Sequence, residues 1–132
     1  MNPVVHFEMP YDDSARMADF YKKAFGWQMN ILGAEMGNYV VAWTAETDPA
    51  TRMVKNSGQI NGGFFKKTPD NTAPSVVIAV KNIEEAMKNV TAAGGKINFL
   101  EGGKPVEIPG IGLYVGFLDS EGNRVSLLQP RE

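Results

Sequence analysis

The sequence contains no cysteine, and His6 is its single histidine among 132 residues. Without thiols, disulfides, thiolate nucleophiles and every zinc site built on sulfur are excluded. One imidazole with no fixed partner makes no Ser-His-Asp arrangement, and no glycine-rich phosphate motif is present. Positive charge is not in excess either: 13 Lys and Arg stand against 15 Asp and Glu, a net charge of -2 without a basic cluster. Nucleic acid is therefore not an expected partner. No stretch approaches the roughly 18 apolar residues that a membrane span needs. The opening "MNPVVHFEMPYDD" meets an acidic pair before any long apolar run, unlike a signal peptide. These absences lead to the expectation of a cytoplasmic protein with neither nucleic acid nor membrane as partner.

What is present is ordinary globular composition, 43% hydrophobic and 21% charged, in a chain the size of one domain. Two segments have helical period with punctuation at both ends. The first begins after Asp12 and Asp13, whose carboxylates suit the orphan amides of a helix starting at Ser14. Met17, Phe20, Tyr21 and Ala24 share a face, and Gly26 is the stop signal. The second begins at Asn82 with Glu85 three residues on. Ile83, Ala86, Met87 and Val90 form its stripe, and Gly94 and Gly95 end it. Glu84, Glu85, Lys22 and Lys23 are read as solvated helix faces.

Each helix follows a short strand, "VVHFEM" or "SVVIAV". Three further strand-like runs follow each helix: "WQMNIL", "YVVAWT" and "INGGFF", then "KINFL", "LYVGFL" and "RVSLLQ". An offset of 69 positions relates His6 to Ser75, Asp13 to Asn82 and Gly26 to Gly95. A duplicated unit explains this spacing. One domain, residues 1–132, is expected from two βαβββ units, 1–67 and 74–132, joined by a linker at 68–73.

That duplication resembles the vicinal oxygen chelate superfamily, which includes glyoxalase I, bleomycin-resistance proteins, fosfomycin-resistance enzymes and extradiol dioxygenases. The local likeness lies in "HFEMPYDDSARMADFYKKAFGW", "VVIAVKNIEEAMKNVTAAGGKI" and "GFLDSEGNRVSLLQP". It implies an α+β fold in which each unit curls into a half-barrel of mixed sheet, the two enclosing a cleft. It also implies a homodimer. Metal-dependent members of the superfamily carry a His on the first strand, a His opening the second unit and a Glu on the last strand. Here His6 matches the first position, while Ser75 and Ser126 occupy the others, and "INGGFF" supplies no acid. The expectation is a member without a metal or other cofactor. A divalent ion held unconventionally is the alternative.

Strand alternation gives a second view of the same face. Val5, Phe7 and Met9 suit packing under the helix, which turns Val4, His6 and Glu8 the other way. His6 and Glu8 stand about 7 Å apart along the strand and could hardly chelate an ion alone. The plain reading of His6 is a surface imidazole bonded to a neighbour or water. The functional reading is a ligand contact or a group that moves protons near neutral pH, with Glu8 to orient it. Tyr39, Trp43, Phe64, Phe65 and Tyr114 either fill the core or line a pocket for a flat or apolar molecule. Gly62 and Gly63 suit a close approach to a ligand, or bulges and turns.

The ligand-binding candidates are His6, Glu8, Trp43, Phe65, Ser75, Tyr114 and Ser126, with His6 and Glu8 also the candidate catalytic residues. The expected function is metal-independent binding of a small, partly apolar molecule. The alternatives are a lyase, isomerase or dioxygenase using His6 or Glu8, and an interaction module whose cleft has no task.

Overall fold

Alternating and helical periods produce the expected elements in the computed structural model, which describes residues 1–97 and 104–131. Chain order is β1 (Val4–Tyr11), α1 (Ser14–Phe25), β2 (Gln28–Ile31), a 3-10 turn (Ala34–Met36), β3 (Val40–Trp43) and β4 (Asn61–Lys66). Then come β5 (Ser75–Ala79), α2 (Ile83–Ala92), β6 (Val106–Ile108), β7 (Gly112–Leu118) and β8 (Arg124–Pro130). Strand, helix and three strands thus occur twice, giving the α+β fold of two βαβββ units.

The molecule divides into two units, one of His6–Pro74 and the other of Ser75–Glu132 together with Met1–Val5. In the first, the strands lie in the order β2-β3-β4-β1. β1 runs parallel to β4, with His6 beside Asn61 and Glu8 beside Gly63. β3 is antiparallel to both β2 and β4. The second unit repeats the scheme as β5-β8-β7-β6. There β5 is parallel to β8 with Val77 beside Ser126, and β7 is antiparallel to β8 and β6. Parallel neighbours need a crossover connection, and each unit's helix forms part of it.

The helix signals act as their chemistry suggests. The Asp13 carboxylate accepts from the Arg16 N–H at 3.0 Å, and the Asn82 carboxamide oxygen from the Glu85 N–H at 3.0 Å. α1 stops at Gly26, whose φ of 74° is left-handed, and α2 gives way to Gly94 at φ 100°. The stop after α2 therefore falls one position before the Gly95 that the repeat offset selects.

Under α1, Met17 and Tyr21 pack with Phe7, Met9, Trp27 and Met29 against a buried group of Tyr11, Val40, Ala42 and Phe64. Phe20, expected on that apolar face, is instead 57% exposed, its ring edge-on to Tyr21 at 5.0 Å. α2 sits deeper. Ile83 and Ala86 are buried with Val80, Val115, Phe117 and Leu127, and Met87 and Val90 complete the expected stripe.

One expected strand differs. Of "KINFL", Lys96 makes an isolated antiparallel bridge to Leu118, while residues 98–100 lie outside the described residues. The strand beside β7 is β6, drawn from "GGKPVEIPGIG", which is not among the expected strands. Its Val106 and Ile108 flank Glu107 with period two, and a turn at Pro109 and Gly110 (φ 78°) returns the chain to β7. Three alternating residues between prolines are too short a signal to register as a strand.

Candidate functional site

In the His6–Pro74 unit the two faces of the sheet have different jobs. Phe7, Met9, Tyr11, Val40, Ala42 and Phe64 point toward α1. Period two then places His6, Glu8, Val41, Trp43, Asn61, Gly63 and Phe65 on the helix-free face. Phe7 and Met9 thus pack under the helix, as the alternation along β1 predicts for them.

Three of these side chains form a row across neighbouring strands. Asn61 on β4 is the register partner of His6 on β1. One step beyond the Ala42–Gly62 pair, the same strand faces Trp43 on β3. Asn61 is only 7% exposed, and both the oxygen and the nitrogen of its carboxamide are hydrogen-bonded. Oδ1 accepts the N–H groups of Thr44 at 2.9 Å and Ala45 at 3.2 Å, while Nδ2 donates to Thr47 Oγ1 at 2.7 Å. His6 and Trp43, at either end of the row, are half-buried. Removal from water holds the His6 pKa below its ordinary value near 6.5, so the imidazole is neutral at pH 7.

Beside that row, Glu8 is buried at 6% exposure and accepts a 3.0 Å hydrogen bond from the Tyr39 hydroxyl. The bond spans two strands because Gly63 lies between them. A β-carbon at Gly63 would collide with the Tyr39 phenol, and one at Gly62 would sit 2.5 Å from the Phe7 carbonyl and 2.6 Å from its ring. The double glycine is thus neither a bulge nor a turn. Its two members point to opposite faces, each beneath an aromatic ring. Phe65, two residues after Gly63, is half-buried on the helix-free face.

The remaining candidates belong to the other unit. Ser75 opens β5 half-buried, its hydroxyl 3.4 Å from the Val76 carbonyl. Ser126 on β8 is 2% exposed, and its Oγ lies 2.7 Å from the hydroxyl of half-buried Tyr114 on β7. The structure therefore gathers His6, Glu8, Trp43 and Phe65 on one face of the first unit, and pairs Tyr114 with Ser126 in the second. Asn61 was missed by sequence reasoning. The signal available was a polar residue opening a strand directly before two glycines.

The donors do not fit a divalent metal. Among the described residues, no three His, Asp or Glu side chains come together. The positions that the superfamily resemblance groups with His6 carry the hydroxyls of Ser75 and Ser126, which are weak ligands beside imidazole and carboxylate. An open depression of about 340 Å³ lies elsewhere, at the start of α1, lined by Tyr11, Asp12, Asp13 and Lys66 among others. Its acids are occupied, Asp12 by Lys67 at 3.0 Å and Asp13 by the helix cap.

Residues 4–44 match the family model described as bleomycin resistance protein-like N-terminal. No curated protein matches the chain in sequence. Solved structures agree with it over nearly its whole length. Methylmalonyl-CoA epimerase from Mycobacterium tuberculosis superposes with a TM-score of 0.67 at 9% identity, covering 98% of this chain and 88% of that one. A hypothetical protein from Bacillus halodurans C-125 gives 0.67 at 12% identity, covering 99% and 96%. A single-residue variant of the Streptomyces coelicolor methylmalonyl-CoA epimerase, in complex with 2-nitronate-propionyl-CoA, gives 0.66 at 10% identity, covering 98% and 97%. The resemblance read from the sequence is thereby borne out, and the chain carries the vicinal oxygen chelate fold.

Proposed function

We propose that the protein binds a small, flat, partly apolar molecule on the helix-free face of the His6–Pro74 unit, without a metal. The observation that carries this reading is the row Trp43–Asn61–His6, with Phe65 on the same face. It combines two half-buried aromatic side chains, a neutral imidazole and a rigid amide. Such a surface, largely apolar with a few fixed polar groups, suits small-molecule recognition. The epimerase of similar fold holds a CoA ester. Here the buried carboxylate of Glu8 next to the row, in a chain of net charge -2, favours a neutral ligand over an anionic one. In the other unit, Ser75, Tyr114 and Ser126 are proposed as ligand-contacting residues of that unit alone. A homodimer is proposed as well, because each unit's strand order ends on a strand with an exposed apolar residue, Ile31 on β2 and Val106 on β6; the cytoplasm is the proposed location. A monomer by light scattering at micromolar concentration contradicts the dimer.

A second reading is supported by the Tyr39–Glu8 hydrogen bond beside neutral His6, a pairing able to pass a proton. In that case the protein is a lyase, isomerase or dioxygenase of the glyoxalase kind. Calorimetric titration with 2-naphthol and with methylmalonyl-CoA, each with and without EDTA, tests the binding reading. Naphthol binding that survives EDTA is the expected result. Binding that requires added divalent ion overturns it, and turnover of a methylglyoxal–glutathione adduct lost in His6→Ala favours the enzyme.

A further inference from the structure

The segment between β3 and β4, residues 44–60, is longer than most connections between strands, and loops of this length without regular structure are commonly functional. It is nevertheless ordered. Thr47 and Val54 bridge antiparallel, the Asp48 and Met53 backbones join at 2.9 Å, and Lys55 pairs with Glu46 through backbone and side chain. This folded hairpin is fastened to the sheet at its base. Thr44 Oγ1 donates to the Ile60 carbonyl at 2.6 Å, and the three remaining bonds all go to Asn61.

Those three bonds come from the one side chain that stands between Trp43 and His6. A strand surface needs no buried amide at that point, and an unpaired one would be costly, so the carboxamide is matched to the loop it holds. We infer that Asn61 is a positioning residue, fixing residues 44–47 as one wall of the ligand site beside His6 and Trp43. The inference rests on the binding reading above and adds the element that shapes the site. Asn61 acts through the loop, holding Thr44, Ala45 and Thr47 at set places. Ligands that fit against Trp43 are thereby selected by the loop's position as well as by the sheet.

The test pairs loop proteolysis with binding. The hairpin presents two exposed tryptic sites, Arg52 and Lys55. In Asn61→Ala, cleavage at these sites is expected to rise about tenfold over wild type, and 2-naphthol affinity to fall by a similar factor, as loss of such bonds implies. Thr47→Val removes one of the three Asn61 bonds, together with the Thr47 hydroxyl's own bond to the Ala45 carbonyl, and should move both readouts the same way by a smaller factor. It also carries the test if Asn61→Ala does not fold. Asn61→Asp keeps both acceptor bonds and should stay closer to wild type than Asn61→Ala. Unchanged cleavage in a folded Asn61→Ala overturns the inference, and so does a loss of affinity without faster cleavage, which would make Asn61 a direct ligand contact. If wild type binds no naphthol while cleavage responds as expected, the anchor stands and the binding reading fails.

Discussion

The two units repeat one strand scheme, and their helix-free faces keep one tyrosine while differing at two positions beside it. Register matches Tyr39 with Tyr114, Gly63 with Ser126 and Glu8 with Val77. In the second unit, the Tyr114 hydroxyl stops at Ser126 on the adjacent strand. In the first, glycine clears the way, and Tyr39 reaches one strand further to a buried carboxylate. The next row differs as well: Trp43, Asn61 and His6 correspond to Leu118, Arg124 and Ser75. Duplication supplied the frame, and divergence at a few inward-reaching positions made one face chemically richer than the other. The helices differ in the same sense, since α1 buries none of its residues and α2 buries Ile83 and Ala86.

The largest effects should come from closing the glycine gaps that distinguish the first unit. Gly62→Ala drives a methyl against the Phe7 backbone carbonyl, which cannot swing away, and should cost about 3 kcal/mol of unfolding free energy. Gly63→Ala meets the end of the Tyr39 side chain, which can rotate, so about 2 kcal/mol is expected along with loss of the bond to Glu8. Urea unfolding measures both, and equal costs would show that the rings are not seated as described.

Removing the phenol hydroxyls sharpens the contrast. Tyr39→Phe deletes a donor to a carboxylate and should cost about 2 kcal/mol, whereas Tyr114→Phe deletes a hydroxyl–hydroxyl bond and should cost about 1 kcal/mol. A reversed order in the same unfolding experiment contradicts the assignment of the stronger bond to the first unit.

A smaller effect separates His6 from Ser75. Because burial lowers the His6 pKa in the folded state, the unfolded chain binds more protons between the folded value and about 6.5. The stability due to neutral His6 is present above pH 6.5 and is lost as pH falls from there toward the folded pKa. His6→Gln should flatten that part of the stability–pH curve, while Ser75→Ala leaves it unchanged. His6→Ala at pH 7 should change stability by no more than about 1 kcal/mol, as for a half-buried polar side chain outside the core. A loss of several kcal/mol would place His6 in a buried network.

Local rules made the fold readable. Caps at Asp13 and Asn82, the glycine stop at Gly26 and the period-two faces of β1 all depend on near neighbours in sequence, and each is where its chemistry puts it. β6 was not readable, because three residues carry too little periodicity, and Phe20 was misplaced because α1 rests on the sheet along a narrower stripe than its pattern suggests. The candidate face was half legible. His6 and Glu8 announce themselves as polar groups on an apolar strand, and Trp43 and Phe65 fall on their face by alternation. The role of Asn61 depends on a loop folding back to it from residues 44–47, and that of Gly63 on a ring arriving from Tyr39. Neither role is a local property, so the local marks these positions leave, a polar residue directly before two glycines, do not say what each one does.

The central claim is that a metal-free ligand site lies on the helix-free face of the first unit. The chain's two tryptophans report on it directly. Trp27 lies on the helix side, stacked on Tyr21 at 4.6 Å, and Trp43 stands on the other face of the same sheet. Their indole N–H signals can be followed by NMR in protein labelled with nitrogen-15 at tryptophan, during titration with 2-naphthol in EDTA. The Trp43 signal should move saturably while that of Trp27 holds still. A Trp27 signal that moves with Trp43 fixed, or two signals indifferent to the probe, would contradict the account.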